Sequence, residues 1–204
     1  MRFTLIALAA VAAALAPNFA SAQDAGSWIV RGRALHLDSA NKDSTGLDLT
    51  INNKTFPELD ISYFLSPNLA AELILTYPQK QTVYSGGTAI GSFKHLPPTL
   101  TAQYHFTNFQ GFRPYLGAGL NYTHLSQVHW DSQVEADLQP TLKKDSFGLA
   151  LQAGVDVAVG SAGWLVNLDV KKVQLKTEVS SLGNKVGTFK VDPLLVSVGV
   201  GKRF

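Results

Sequence analysis

The chain has 204 residues, 46% hydrophobic and only 16% charged, with 17 basic and 15 acidic side chains and a formal net charge of +2. That is little charge for a water-soluble domain, where about a quarter of residues are charged. No segment carries the basic cluster that a nucleic-acid partner requires, and the absence of cysteine excludes the disulfide framework on which small exported domains often rely.

At the N-terminus, Met1-Arg2 precedes an apolar run from Phe3 to Ala16 and the small-x-small sequence Ala20-Ser21-Ala22. This reads as a cleaved signal peptide over residues 1–22, because the run falls short of the roughly 20 residues a spanning helix needs. Residues 23–204 then form one exported domain. No later apolar stretch reaches spanning length, so the period to follow is two, the period of a strand.

Eight alternating segments follow in chain order. Trp28 to Leu37 sets Trp28, Val30, Gly32 and Ala34 against Arg31 and Arg33. Phe56 to Leu65 sets Leu59, Ile61, Tyr63 and Leu65 against Glu58, Asp60 and Ser62, and Ser66-Pro67-Asn68 signals a tight turn. Leu69 to Tyr77 opposes Ala71, Leu73, Leu75 and Tyr77 to Glu72 and Thr76. After a Gly-rich stretch around Ser85-Gly86-Gly87, Leu96 to Phe106 and Arg113 to Leu125 continue the pattern. The sixth is the clearest, with Phe147, Leu149, Leu151, Ala153, Val155, Val157 and Val159 against Gly148, Gln152, Gly154 and Asp156. Trp164 to about Thr177 is the seventh, its register blurred after Lys172. Thr188 to Phe204 is the eighth.

Connections alternate long and short, with long segments near residues 38–54, 78–94, 127–144 and 179–187. Short periplasmic turns and longer extracellular loops, joined to an even strand number, predict an all-β, eight-stranded antiparallel transmembrane barrel in the bacterial outer membrane. Aromatics at strand ends (Trp28, Tyr63, Tyr77, Tyr104, Phe106, Tyr122, Phe147, Trp164 and Phe204) suit the interfacial girdles of such a barrel. Lys202 shares the lipid-facing parity and can snorkel at the rim.

Arg31, Arg33, Glu58, Asp60, Glu72, Asp156, Asp169, Lys171 and Arg203 fall on the inner parity. A basic group facing lipid at the midplane costs about 2–4 kcal/mol, so these charges are expected to pair inside as a plug filling a lumen scarcely wider than side chains need. Leu35, Leu37, Ile74, Leu165, Val173, Leu175, Val191 and Leu195 share that inner parity, so the lumen also has an apolar part. Pro97 and Pro98 cannot donate ladder hydrogen bonds and weaken the wall there.

His124 and Ser126 share a strand face, where Glu135 or Asp137 could orient the imidazole, a pattern similar to the His-x-Ser pair of the small outer-membrane lipid A deacylases. A strand-end polar pair is the simpler account. The histidines have no metal-ligand spacing, and Gly117-Ala118-Gly119 lies in a β pattern with no following helix, so neither metal nor cofactor is expected.

GSFKHLPPTLTAQYHF (Gly91 to Phe106), FRPYLGAGLNYT (Phe112 to Thr123), SPNLAAELI (Ser66 to Ile74), DSFGLALQAGVD (Asp145 to Asp156) and the terminal GVGKRF resemble the outer-membrane protein W (OmpW) family. The resemblance implies a monomeric barrel whose narrow lumen passes small hydrophobic solutes, released sideways into outer-membrane lipid; the wall weakened at Pro97 and Pro98 is the lateral exit that the residues themselves offer. It also implies association with phage or colicin. An aromatic last residue, Phe204, suits the signal by which the barrel assembly machinery recognises its clients. A receptor acting through its outer loops, and the lipid-modifying esterase, are the alternatives left open by the residues themselves.

Overall fold

The computed structural model describes residues 25–204, so the expected signal peptide over residues 1–22 lies outside the described residues. Eight long strands form the wall: β1 (Trp28–Asp38), β2 (Lys54–Phe64), β3 (Leu69–Leu75), β4 (Thr99–His105), β5 (Phe112–Trp130), β6 (Asp145–Val159), β7 (Trp164–Val173) and β8 (Leu194–Arg203). Each pairs antiparallel with the next in sequence, and β8 pairs with β1, so the sheet closes without a free edge. At the periplasmic rim Trp28 N donates to Phe204 O at 3.1 Å and Phe204 N to Trp28 O at 2.9 Å.

The alternation read from sequence is the alternation of the wall. Leu120, Leu151 and Val200 are 65%, 61% and 57% exposed on the outside, while Arg31, Asp60 and Glu72 on the inner parity are fully buried. In water such an apolar exterior would demand a partner; in a bilayer it is the surface that faces the acyl chains. Girdle aromatics pack in pairs, Trp28 on Tyr63 at 4.7 Å and Tyr122 on Phe147 at 4.8 Å between ring centroids. Lys202 places its ammonium 5.4 Å from the ring centres of both Trp164 and Phe204.

Four expected boundaries are corrected. The third strand ends at Leu75 rather than Tyr77, and the fourth begins at Thr99 rather than Leu96, since Pro78, Pro97 and Pro98 lack the N–H a ladder needs. The seventh ends at Val173, where the chain leaves the wall. The eighth begins at Leu194, just after Pro193, rather than at Thr188.

All four long connections expected as loops are folded in part. Residues 78–94 hold a hairpin, Gln79–Ser85 with Thr88–Leu96, that pairs with the upper part of β5 and with Leu49–Ile51. Its turn residues Gly86 and Gly87 both have positive φ, the geometry that lets a two-residue loop join twisted strands. Residues 127–144 hold the end of β5 and a short helix α1 (Ser132–Leu138), capped by the Asp131 carboxylate accepting from Gln133 N. A second small sheet, Thr141–Leu142, Lys176–Ser181, Asn184–Lys190 and Lys42–Asp43, completes the extracellular end.

Candidate functional site

Eight of the nine charged residues expected inside meet in one connected network at the middle of the lumen. Arg31 bonds Asp60 at 2.8 Å and reaches Asp156 through Nε at 3.0 Å. Arg33 lies 2.9 Å from both Glu58 and Asp60, at angles that make these ion pairs rather than aligned hydrogen bonds. Lys171 bridges Glu58 at 2.8 Å and Asp169 at 2.9 Å, and Glu72 lies 3.6 Å from Arg33. In their ionised forms these are three cations against five carboxylates. Arg203, the ninth, is half-buried near the periplasmic end of β8.

Strand register explains why the network fits. Arg31 and Arg33 stand directly opposite Gly201 and Gly199 of β8, whose missing side chains leave the space the guanidinium stems occupy. A Cβ on Gly199 would lie 2.6 Å from the Arg33 Cγ, and one on Gly201 2.8 Å from the Arg31 Cγ. Neutral side chains absent from the sequence expectation complete the layer. Tyr115 donates its hydroxyl to Asp169 at 2.8 Å, Asn167 donates to Tyr115 at 3.0 Å, and Gln152 to Glu72 at 2.9 Å. Their inner parity and polarity were the available signal. Ion pairs this deeply buried are held by geometry, since desolvation offsets most of the attraction.

Above this layer is a narrow cavity whose floor is Glu58 and Lys171. Leu35, Leu37, Ile74, Val173 and Leu195 line it as the apolar parity implied, joined by Phe56, which sequence reasoning missed. Thr99, Asn121, Thr123 and His95 give it one polar side. The enclosed space is small, ≈30 Å³ as volume open to the centres of water molecules, room for about two waters. The remaining expected lining residues lie elsewhere. Leu175 and Val191 pack with Phe93, Leu125 and Phe189 in an apolar cluster at the extracellular end. Leu165 belongs with Ile29, Phe64 and Ala70 below the charged layer, so its assignment to an upper apolar lumen is corrected: β7 carries it near the periplasmic turn, opposite Gly201.

Pro97 borders this cavity on the β3 side of β4, and Pro98 follows it in the wall. The ladder between the two chains stops at Ile74 and Thr99 and resumes at Gln79 and His95. Between them Leu75–Pro78 faces Leu96–Pro98 with three prolines and no ladder pair among the described residues. The opposite seam is closed, since Pro98 O accepts from Tyr122 N at 3.0 Å and Pro97 O from the Asn121 amide at 3.3 Å.

His124 lies outside the barrel, and its imidazole partner is Asp145, at 2.8 Å, rather than Glu135 or Asp137. Tyr122 donates to the same carboxylate oxygen at 2.6 Å. Among the described residues no hydrogen bond joins Ser126 to His124, and no cluster of His, Asp or Glu is arranged to hold a metal ion. On the extracellular hairpin, burial and then the charge of Lys54 hold the His95 imidazole down to about 4.

These features have counterparts in known proteins. The model of the OmpW family matches residues 24–204. An uncharacterized outer-membrane protein, y4mB, of Sinorhizobium fredii is 42% identical over 87% of this chain and 80% of its own length. The dibenzothiophene metabolism operon protein PahQ of Pseudomonas aeruginosa is 30% identical over 83% of this chain and 80% of its own. Among solved structures, the outer-membrane protein OprG of Pseudomonas aeruginosa superposes with a TM-score of 0.77 at 27% identity, covering 89% of this chain and 97% of that one. From the closed eight-stranded wall to the family match over the whole described chain, the observations agree that this protein belongs to the OmpW family of outer-membrane barrels.

Proposed function

We propose that the barrel is a conduit for small hydrophobic molecules that enter from the extracellular end, are stopped by the charged layer, and leave sideways into the membrane beside Pro97 and Pro98. The observation that carries this reading is the continuity of three features: an apolar cavity, an ion-paired floor beneath it and an unladdered stretch of wall at the same height. A floor of paired charges resists an apolar solute because the solute offers nothing to replace the ion pairs' partners. A wall segment without hydrogen bonds opens at lower cost than any other direction out.

A cavity of about two waters does not hold a bulky solute without widening, so passage couples solute entry to displacement of the Leu75–Pro78 segment. PahQ is named for an operon of dibenzothiophene metabolism, a flat apolar compound of the class this route would take. The test is uptake of a fluorescent polycyclic probe into vesicles of outer-membrane lipid. Leu35→Asp with Val173→Asp, which places charge in the cavity, should abolish the gain over protein-free vesicles; unchanged uptake in a folded double variant would sink the proposal.

A further inference from the structure

We propose that a lysine ridge on the outside of the extracellular end is a binding site for the phosphorylated headgroup of an outer-leaflet glycolipid. In the small extracellular sheet Lys176 stands directly opposite Lys190, and Lys190 directly opposite Lys42. Residues paired across antiparallel strands share a face and have Cβ atoms about 5 Å apart, and like charges so placed repel. All three are exposed. Lys172, on the same outward parity of β7, lies two rows lower, level with Leu151 and Leu194, and its ammonium is bonded to the Asp192 carbonyl.

The sheet itself does not neutralise the ridge. Among the described residues no carboxylate lies within ion-pair distance of these four ammonium groups. Glu178, one row up on the same face, is shared by Lys143 and Lys185. Asp43 is turned into its own loop, accepting from Thr45 N at 2.9 Å and Leu49 N at 3.1 Å, and Asp192 accepts from Leu175 N at 2.9 Å. Asp38, two strands from Lys172, is held by the Asn53 amide at 2.8 Å. Three adjacent cations with every nearby carboxylate committed elsewhere fit a multivalent anion from outside the chain.

Height in the membrane identifies the anion's source. Lys176 N donates to Ser146 Oγ at 3.3 Å, so the ridge begins beside Phe147, which is 74% exposed and marks the outer aromatic girdle. Below it the wall is leucine and valine. Groups facing the protein at this level are therefore lipid headgroups, and in an outer membrane the outer-leaflet headgroup is a phosphorylated sugar. Acyl chains would lie along Leu149, Leu151 and Val170 while the phosphates meet Lys176, Lys190 and Lys42.

The experiment titrates the full barrel in neutral detergent with bis-phosphorylated lipid A, with the same glycolipid after enzymatic dephosphorylation, and with inorganic phosphate. Each lysine near an anionic surface contributes about fivefold to binding, so a Lys42→Gln, Lys176→Gln, Lys190→Gln variant should bind phosphorylated lipid A about a hundredfold more weakly, with recovery in the corresponding arginine variant. Dephosphorylated lipid should bind the native barrel as weakly as it binds the glutamine variant. Equal binding of the two lipids, equal affinity of the glutamine variant, or saturation by inorganic phosphate at the affinity of the lipid would each overturn the proposal. The first and last comparisons need only the native chain, so they decide the matter even if the triple variant does not fold.

Discussion

The Tyr115 ring lies across Gly154: a Cβ at Gly154 would come within 2.4 Å of the ring's Cζ and hydroxyl oxygen and 2.7 Å of the Leu168 carbonyl. Neither a packed aromatic ring nor sheet backbone yields easily. Gly154→Ala should therefore destabilise the barrel by about 1–3 kcal/mol, the usual cost of overpacking. A thermal series of heat-modifiable gel migration reads this directly. Replacing Tyr115 by Leu in the same chain should recover part of the loss, and no recovery would show that the backbone contact dominates.

The charged layer predicts an asymmetry between its members. Removing a cation leaves two or more buried carboxylates facing one another, whereas neutralising a carboxylate reduces an existing excess of negative charge. Arg33→Met should cost about 3–5 kcal/mol, the range for stranding a buried charge, while Glu72→Gln should cost under about 1.5 kcal/mol, keeping its place as an acceptor for Gln152 and Thr101. Urea unfolding in a fixed lipid measures both. Equal losses would mean that the layer is not governed by charge.

Acid should loosen the extracellular hairpin through His95. Its folded-state value near 4 lies below the ordinary histidine value of about 6.5, so the unfolded form binds the proton more readily. Stability is then full above about pH 6.5 and falls as the pH drops towards 4. Hydrogen exchange of the Gln79–Ser85 and Thr88–Leu96 amides should quicken across that window, and His95→Gln should flatten the dependence. A pH-independent exchange profile in the native chain would contradict the assignment.

Restoring backbone donors beside the cavity should slow solute exit. Pro97→Val with Pro98→Thr supplies one N–H towards the side that lacks a ladder, since successive donors point to opposite sides of a strand and residue 98 faces Tyr122; at about 1 kcal/mol for the hydrogen bond formed, the open state becomes roughly fivefold rarer. Uptake of the polycyclic probe should fall in proportion while probe binding to the cavity, read by fluorescence quenching, is kept. Unchanged uptake would place the exit elsewhere.

Deleting residues 132–142 separates conduit from receptor. The α1 end is docked by Leu182 N and Ser181 Oγ donating to Leu138 O at 3.1 and 2.7 Å, so it is an ordered surface remote from the Pro97–Pro98 seam. Solute uptake should survive its loss. Phage or colicin sensitivity that disappears with it would establish a second role for the outer loops.

The wall was legible because a barrel in lipid enforces period two more strictly than a soluble sheet: Leu149 and Leu151 cannot exchange faces with Ala150 and Gln152. The inward charges followed from the same parity. What escaped was structure that alternates weakly. Gln79, Gln81 and Val83 all face inward along the first strand of the hairpin, and two polar members in three hide the pattern, although Gly86-Gly87 was a two-residue hairpin signal; Leu182-Gly183, which turns at positive φ in the structure, carries no such signature. Leu165 and Leu35 share a parity, but only the strand's height in the barrel separates a residue beneath the charged layer from one above it. Asp145 was missed as the His124 partner because the pairing of β5 with β6, not proximity in sequence, brings them together.

Arg31 and Arg33 are covered only when Gly201 and Gly199 arrive opposite them, and Trp28 is bonded only when Phe204 does. Until then β1 is an open edge carrying two inward-pointing guanidinium groups. A strand so charged makes a poor template for a neighbouring chain, and the same side chains that block the finished lumen therefore discourage mispairing while the barrel is still a ribbon. The closing strand contributes little bulk of its own at this level; its glycines make it a lid shaped to accept cargo already in place.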